Sequence, residues 1–310
     1  MIGPELPGIA DEQGGYSVEN SKSVLNGVVG MIEQWLGVAG NATYGDSQTN
    51  PKPKYASKQA AIDLSAKGGP LGATSESNLL VELLERIQAN WEQGGCHAPS
   101  SETWEPGKEE LLSPGNKSHE VVLERLIVRL LDETWTNQVP TCSGLIPDAG
   151  EGRRSIDLVH NCGGGKYEFI ELKFKDGTDE VHGSNNPVDA AWEILGYGLL
   201  YAHARRNGLR KESPLMKAST IHLVVLAPAG WYSQASGKPY EFKWLEDRIN
   251  GWLRDETFSG VVTMDFQFQQ FKKEFDEIYI TPRPLPVAIQ EFRRSNLRHR
   301  EPVYGVAKTS

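Results

Sequence analysis

The sequence predicts an α/β fold, in which a mixed central sheet is flanked by helices and preceded by a mostly helical N-terminal extension. Two observations lead to this prediction. Apolar residues recur at helical spacing in several long stretches, and shorter runs between them alternate with a period of two or are apolar throughout. The run from Thr220 to Ala227 (TIHLVVLA) is of the last kind, which is typical of a central strand covered on both faces. The order of these patterns favours a core built as helix, mixed central sheet, helix and strand.

Residues 1–116 are predicted to form the helical and irregular extension. Helices are expected over residues 21–38 and 75–93, and a short helix could form over 58–67 within an otherwise irregular connection. Ser75 is the expected N-cap of the helix over 75–93, and Gly94 is expected to end it together with Gly95. The stretch 96–116 is rich in proline and glycine and is predicted to separate the extension from the core. No residue of the extension belongs to a recognisable catalytic motif.

The core is expected over residues 117–281, followed by a basic tail over 282–310. Its elements are predicted, in chain order, as a helix over 118–135, a strand within 136–146, a hairpin over 155–175, a helix over 187–206, a strand over 220–227, a helix over 241–253 and strands over 261–268 and 277–281. In the helix over 187–206, Asn186 is a suitable N-cap. Gly196 and Gly198 would each destabilise that helix by about 1 kcal/mol relative to alanine, which predicts a close approach to a neighbouring backbone.

The charge of the chain limits the classes of partner. A net charge of −9 counts against a protein that coats nucleic acid with its whole surface, but it permits an enzyme with a local basic track. The charge is uneven, because acidic residues dominate the first third. The tail carries the arginines Arg293, Arg294, Arg298 and Arg300. Two interpretations of the tail remain open, a solvated helix end and an arm that contacts phosphates.

Cysteine content and hydropathy indicate the compartment. Three widely spaced cysteines argue against a disulfide framework and favour a reducing, cytoplasmic location. The adjacent Cys96 and His97 are expected to lie in a loop, and the cysteines show no zinc-binding spacing with histidine. No stretch has the unbroken apolar length of a membrane span, and no signal peptide or membrane partner is expected.

The hairpin over 155–175 (SIDLVHNCGGGKYEFIELKFK) carries the most informative residues. Two strands are expected to turn at Asn161–Gly165. Because strand side chains alternate between faces, one face of the second strand is predicted to carry Tyr167, Phe169, Glu171 and Lys173, and the other Ile170, Leu172 and Phe174. A carboxylate and a lysine thus share one face of an apolar strand. Burying a charge without a partner is unfavourable, so a metal ion and a phosphate are expected to meet this pair.

Paired strands can bring the carboxylates of Asp157 and Glu171 together across the ladder. Mg²⁺ prefers oxygen ligands, keeps several waters and is usually held by one or two carboxylates plus substrate phosphate. The backbone carbonyl of Leu172 could add a third ligand. A lysine on the same face, Lys173, could orient or help to deprotonate a metal-bound water and offset the charge that builds up there. The pattern therefore predicts a site that hydrolyses a phosphodiester.

The order of a glutamate-bearing helix, an aspartate-bearing strand, a Glu-x-Lys strand, a helix and a further strand resembles the PD-(D/E)XK nuclease superfamily, which has the restriction-endonuclease-like fold. The resemblance covers residues 118–227, about a third of the chain. It implies that Asp157 and Glu171 bind Mg²⁺ and that Lys173 assists the attacking water. Members often add a metal-binding glutamate on the first core helix. Glu120, at the edge of the apolar stripe, is the better fit, and Glu124, expected further round toward solvent, is the reserve.

The resemblance further implies a metal-dependent nuclease that hydrolyses nucleic acid through a Mg²⁺-activated water, with Mn²⁺ able to substitute. DNA is expected as the substrate in preference to RNA. Many members carry a glutamine four residues before a tyrosine on the helix after the motif. Here Glu193 precedes Tyr197 at that spacing, so the chain departs from the pattern and the subfamily stays open.

Other interpretations remain open. A catalytically inactive copy of the fold could serve as a nucleic-acid- or protein-binding module, and a homodimer is among the open oligomeric states. Asp148 competes as the first acid, although its Pro, Ala and Gly neighbours favour a turn residue. His160 and His182 flank the motif and are expected to be structural or surface histidines, because the proposed chemistry needs no histidine base.

Overall fold

The structure is a computed structural model that describes residues 23–38, 55–72, 77–96, 98–109, 118–143, 154–174, 186–271 and 286–305. The strands in these residues are β1 (Trp135–Pro140), β2 (Ser155–Gly163), β3 (Lys166–Leu172), β4 (Thr220–Pro228), β5 (Thr263–Phe271) and β6 (Arg300–Pro302). The helices are α1 (Val28–Leu36), α2 (Lys58–Lys67), α3 (Leu79–Gln93), α4 (His119–Leu130), α5 (Pro187–Arg206), α6 (Lys243–Leu253), α7 (Glu256–Ser259) and α8 (Val287–Arg298). Short 3₁₀ turns, Leu215–Lys217 and Ala229–Tyr232, flank β4.

The six strands follow chain order across one mixed sheet. β1, β2 and β3 are antiparallel, β3, β4 and β5 are parallel, and β6 runs antiparallel along the outer edge of β5. Parallel neighbours need crossover connections, and α5 and α6 lie in those connections. The predicted α/β class, with helices around a mixed sheet, is confirmed, and so are the predicted hairpin and its glycine turn.

Helices cover both faces of the sheet. On the first face, α1, α2, α3, α5 and α6 pack over strand residues such as Phe169 and Leu223. On the second face, α4 and α8 contribute to a smaller core around Ile170 and Val224. Adjacent strand residues therefore belong to different cores, as the alternation of a strand requires. The alternation predicted for β3 is confirmed, because Phe169 packs on the first face and its neighbour Ile170 on the second.

The three helices expected in the N-terminal extension are present as α1, α2 and α3. The N-cap of α3 is Asn78, whose side chain accepts a hydrogen bond from the Leu80 N–H at 3.1 Å, and the proposed cap Ser75 lies outside the described residues. The ring of Trp35 from α1 packs against Trp192 and Trp252, at centroid distances of 5.9 and 5.0 Å. These helices thus share one apolar core with α5, α6 and the sheet.

Helix α5 has the predicted bounds and the predicted N-cap, since the Asn186 side chain accepts from the N–H groups of Val188 and Asp189. The sequence predicted one apolar side, but nearly every residue of α5 is buried. The reason is that α3 packs against the face of α5 that would otherwise meet solvent. A helix covered all round has few polar positions, which explains its weak amphipathic pattern.

The expected approach of α5 to a neighbouring backbone is wrong at both glycines. A methyl group built on Gly198 would lie 2.8 Å from Cδ1 of Leu223, a side-chain atom of β4. At Gly196 the nearest atom is the hydroxyl of Tyr55, at 4.0 Å. Gly198 therefore makes room for a buried leucine side chain, whereas Gly196 is not sterically required.

The basic tail packs onto the core as α8 and β6. Arg293 is buried, and Arg294 donates to the carbonyl of Leu130. Arg298 pairs with Asp132 at 3.2 Å, and Arg300 pairs with Glu168 at 2.8 Å. Arg294, Arg298 and Arg300 thus already have partners in the core. The strand expected over 277–281 falls outside the described residues.

Candidate active site at the open end of the hairpin

Strands β2 and β3 bring Asp157 and Glu171 to the same end of the sheet. Leu158 pairs with Ile170 in the antiparallel ladder, so the next position outward places Asp157 beside Glu171. Oδ2 of Asp157 accepts a hydrogen bond from the N–H of Leu172 at 2.9 Å. This bond ties the Asp157 carboxyl on β2 to the backbone of β3. The contact lies next to Glu171, the acid that the sequence predicted as its partner.

Lys173 lies between two carboxyl groups from different elements. Its Nζ donates to Oε1 of Glu171 and to Oε2 of Glu193, the latter at 3.2 Å. Glu171 is 2% exposed and Lys173 is 9% exposed. Glu193 is contributed by α5, so the charged face of β3 is directed at that helix. The sequence treated Glu193 only as a departure from a family pattern, whereas the structure makes it a direct partner of Lys173.

The acids at this end of the sheet hold their protons more tightly than free carboxyls do. Burial raises the pKa of Asp157 to about 8; the charge of Lys173 opposes the rise, while Glu120 and Glu193 add to it. Burial, together with the charges of Asp157 and Glu193, also raises the pKa of Glu171 well above its usual value. Carboxylates crowded in a low-dielectric site cannot all ionise without a compensating cation.

Lys173 is held in its charged form. Burial alone would lower the pKa of this lysine, but the carboxylates of Glu171 and Glu193, with smaller contributions from Glu120 and Asp157, raise it well above its usual value. An ammonium with a raised pKa is a poor proton acceptor near neutrality. Of the three roles that the sequence allowed for Lys173, orienting water and compensating charge therefore fit this environment better than removal of a proton.

Of the two glutamates of α4, Glu124 differs from expectation and Glu120 does not. Glu124, expected toward solvent, is 3% exposed and accepts hydrogen bonds from Asn137 Nδ2 and from Gln138 Nε2, the latter at 2.8 Å. Burial raises the pKa of Glu124 to about 7. Glu120 is half-buried and close enough to act electrostatically on Asp157 and Lys173. The solvent-facing prediction for Glu124 is wrong because β1 lies across that side of α4 and supplies two amide donors.

One atom of the site has no partner. Oε2 of Glu171 is buried and has no hydrogen-bond partner among the described residues. An unsatisfied buried carboxylate oxygen is unfavourable, so it marks a position suited to a cation. Oxygen donors from Asp157 and Glu171 match the hard-ligand preference of Mg²⁺, which needs only one or two protein carboxylates. The donor set present here fits Mg²⁺.

In the described part of the chain, one group of three side chains has all its metal-ligating atoms within 4.8 Å of one another. That group is His160, Cys162 and Glu168 and not the acids around Lys173. At the open end of the hairpin, the carboxylates of Asp157 and Glu171, the predicted Leu172 carbonyl, Glu120 and water would have to complete a magnesium shell.

The sequence also singled out His160, Tyr197, Asp148 and His182. His160 lies at the turn end of the hairpin, where its ring stacks on Trp135 with a centroid distance of 4.2 Å, as expected for a structural histidine. Tyr197 is buried in α5. Asp148 and His182 lie outside the described residues.

Comparisons with models of protein families, with curated proteins and with solved structures found no match to this chain. None of the helices in the described ranges combines the length and the apolar character that a membrane crossing requires. The three cysteines are free thiols, with Cys96 and Cys162 exposed and Cys142 buried.

Proposed function

We propose that this protein is a metal-dependent nuclease of the PD-(D/E)XK type, with a restriction-endonuclease-like core, that hydrolyses phosphodiester bonds of DNA. The order of its elements supports the proposal. Helix α4 precedes the antiparallel strands β1, β2 and β3, and α5 then leads to β4, which is parallel to β3. Asp157 on β2, Glu171 on β3 and Lys173, which directly follows β3, match the order that the resemblance gives for the catalytic residues.

The observation that carries the proposal is the charge balance around Lys173. The carboxyls of Asp157, Glu171, Glu193 and Glu120 all interact with this one lysine. Burying so many carboxyls is unfavourable unless further positive charge enters. A divalent cation supplies that charge, and the unpartnered Oε2 of Glu171 offers it a ligand.

Asp157, Glu171, the Leu172 carbonyl and Glu120 are the groups that would hold Mg²⁺, or Mn²⁺ in its place. When bound, such an ion supplies Lewis acidity, which lowers the pKa of water and stabilises charge on a phosphoryl oxygen. The hydrogen bond from the Leu172 N–H keeps Asp157 directed toward Glu171. The strand register and this hydrogen bond thereby place the two carboxyl groups side by side on β2 and β3.

Lys173 then acts as a charged positioning group. Its ammonium is held by Glu171, near the end of β3, and by Glu193 on α5, so its Nζ has a defined place beside the metal-binding acids. There it can orient water or a phosphate oxygen and stabilise the additional negative charge of the transition state. Glu193 occupies the position of the family's glutamine and restrains the lysine through an ionic contact.

Cleavage of plasmid, duplex, single-stranded and structured DNA, and of RNA, in Mg²⁺ or Mn²⁺ tests the proposal. We expect Asp157→Asn and Lys173→Met to lower the cleavage rate by about 100-fold or more, since each removes charge stabilisation of the transition state. Asp63→Asn, at an exposed carboxyl of α2, and Lys166→Ala, at the exposed end of β3, are matched controls that should keep the wild-type rate. Circular dichroism checks that every variant is folded.

If the folded wild-type protein cleaved none of these substrates, the proposed nuclease activity would be refuted. The alternative is a catalytically inactive binding module, which the intramolecular ion pairs of Lys173 favour. That alternative predicts that DNA or RNA binds in a gel-shift assay without cleavage and that binding is unchanged in Asp157→Asn.

A further inference from the structure

A second group of potential ligands lies at the turn end of the hairpin. His160 on β2 pairs directly with Glu168 on β3, and both belong to the sheet face opposite that of Glu171 and Lys173. The register shifts between Asn161 and Gly163, so Cys162 is the extra residue of a β-bulge. Bulges redirect side chains. Nδ1 of His160, Sγ of Cys162 and a carboxylate oxygen of Glu168 all lie within 4.8 Å of one another.

The distances between these atoms are close to those of a tetrahedral metal site. Sγ of Cys162 lies 3.6 Å from Nδ1 of His160. Zn–S and Zn–N bonds of about 2.3 and 2.0 Å at a tetrahedral angle place these two atoms about 3.5 Å apart. Nδ1 of His160 lies 2.7 Å from Oε2 of Glu168, where such a site would have about 3.3 Å. Side-chain rotations that separate the imidazole and the carboxylate by about half an ångström would admit the ion.

The donor atoms determine which ion fits. One imidazole nitrogen, one thiol sulfur and one carboxylate oxygen form a set that Zn²⁺ accepts, with a fourth position left for water. Mg²⁺ is a poor match, because it prefers oxygen ligands in octahedral geometry. Binding of Zn²⁺ deprotonates a coordinating thiol, so the thiolate and the Glu168 carboxylate together balance the charge of the ion.

Neighbouring residues already hold two of the three ligands in place. The His160 ring stacks on Trp135 at 4.2 Å with an interplanar angle of 10°. Arg300 donates to Glu168 at 2.8 Å while its guanidinium lies 5.2 Å from the Trp135 ring centre. Outer partners of this kind orient the ligands of metal sites.

We propose that His160, Cys162 and Glu168 form a binding site for one Zn²⁺ ion at the turn of the β2–β3 hairpin, separate from the acidic site at its open end. The ion would join both strands of the hairpin and, through Glu168 and Arg300, the edge strand β6. Its ligands differ in face, donor type and metal preference from those proposed for Mg²⁺, so neither proposal depends on the other.

Substitution of Co²⁺ gives the most selective test, because a cobalt–thiolate bond produces a charge-transfer absorption in the near ultraviolet that oxygen ligands do not produce. The full-length protein, reduced and freed of metal by chelation, is titrated with Co²⁺ and then with Zn²⁺. We expect one equivalent of Co²⁺ to develop this band and Zn²⁺ to remove it. Isothermal titration calorimetry with Zn²⁺ gives the affinity of the same site.

Cys162→Ser should abolish the cobalt–thiolate band and weaken Zn²⁺ binding by about 100-fold or more, since loss of even an outer partner commonly weakens a site 10–100-fold. Cys96→Ser is the matched control, because Cys96 is also an exposed free thiol and should leave the band intact. Glu168→Gln should keep a weaker band, which separates loss of one ligand from loss of the fold. A wild-type protein that shows no band, or a band that survives in Cys162→Ser, would overturn the site.

Discussion

Asp189 is an acidic residue of α5 that is buried, and its partners connect two distant parts of the chain. Oδ1 accepts hydrogen bonds from the N–H groups of Tyr55 and Ala56 at 2.7 and 2.9 Å, and Oδ2 accepts one from Asn186 Nδ2 at 2.7 Å. Burial nevertheless raises the pKa of Asp189 to about 7, because the backbone donors only partly offset the loss of hydration. One carboxyl thus organises the start of α5 and the segment before α2.

The raised pKa of Asp189 predicts a pH dependence of stability. The folded protein binds this proton up to about pH 7, whereas the unfolded chain releases it near the ordinary aspartate pKa of 3.8. Stability therefore falls as the pH rises between these two values and is constant above the higher one. From the two pKa values we expect the carboxyl to contribute a loss of about 2–4 kcal/mol in the free energy of unfolding over this range.

Asp189→Asn should flatten this dependence, because the amide keeps an acceptor for Tyr55 and Ala56 but does not titrate. Urea unfolding at pH 5, 6, 7 and 8 measures the slope for wild type, Asp189→Asn and the control Asp63→Asn. Burial raises the pKa of Glu124 to about 7, so this residue also makes the free energy of unfolding fall as the pH rises. Part of the pH dependence should therefore remain in Asp189→Asn. Equal slopes in all three proteins would contradict the prediction.

At this scale, the sequence predicted residue types better than it predicted their partners. Asp157, Glu171 and Lys173 were found from their spacing, because a period-two strand and a tight turn determine which side chains are neighbours. Glu193 and Glu124 were misjudged, since their partners come from other elements. The sequence was expected to hold no zinc-binding spacing of cysteine with histidine, but the His160-x-Cys162 spacing, with Glu168 across the turn, was a usable signal for this cluster. The hairpin register was the missing information.

The contact between α5 and β4 depends on the absence of a side chain at Gly198. A Cβ there would approach Cδ1 of Leu223 to 2.8 Å, and Leu223 is 1% exposed, so its side chain has little room to move. We expect Gly198→Ala to lower the free energy of unfolding by about 1–3 kcal/mol, as overpacking in a dense core does. Chemical denaturation at constant pH measures the change.

Gly251 in α6 is the matched control, because a Cβ there would meet no atom within 4 Å. Gly251→Ala should stabilise the protein by about 0.5–1 kcal/mol, through the helix propensity of alanine alone. A Gly198→Ala protein as stable as Gly251→Ala would show that α5 and β4 can separate without loss.

Element positions followed well from the sequence where a local signal existed. Asn186 and Pro187 marked the start of α5, and the glycines at 163–165 marked the hairpin turn. The pattern could not show that α3 covers the outer side of α5, because that contact joins residues about 100 positions apart. The N-cap of α3 was misplaced by three residues for a related reason, since both Ser75 and Asn78 are suitable capping residues.

For the molecule as a whole, the proposed magnesium site couples metal binding to pH. Mg²⁺ binds ionised carboxylates, and burial raises the pKa of Asp157 to about 8 and that of Glu171 well above its usual value. Protons therefore compete with the metal below these pKa values. At one Mg²⁺ concentration, we expect the increase in melting temperature caused by Mg²⁺ to be larger at pH 8.5 than at pH 6.5.

Differential scanning fluorimetry at both pH values, with and without Mg²⁺, measures this difference. The Mg²⁺-dependent increase in melting temperature is expected to be larger at pH 8.5 because the metal-free protein loses stability as Asp157 and Glu171 ionise. Bound metal restores that stability. Asp157→Asn should show little Mg²⁺-dependent shift at either pH. An equal shift at both pH values in the wild-type protein, or a larger one at pH 6.5, would contradict the proposed ligands.

The packing of α1, α2 and α3 on α5 has a consequence for how the chain is made. The apolar faces of these three helices leave the ribosome before α5, which covers α3 and begins about 100 residues after α3 ends. At 5–20 residues per second, translation leaves those faces without a partner for roughly 5–20 s. We therefore expect the N-terminal third to depend on chaperones during synthesis and to be prone to aggregation when expressed without the rest of the chain.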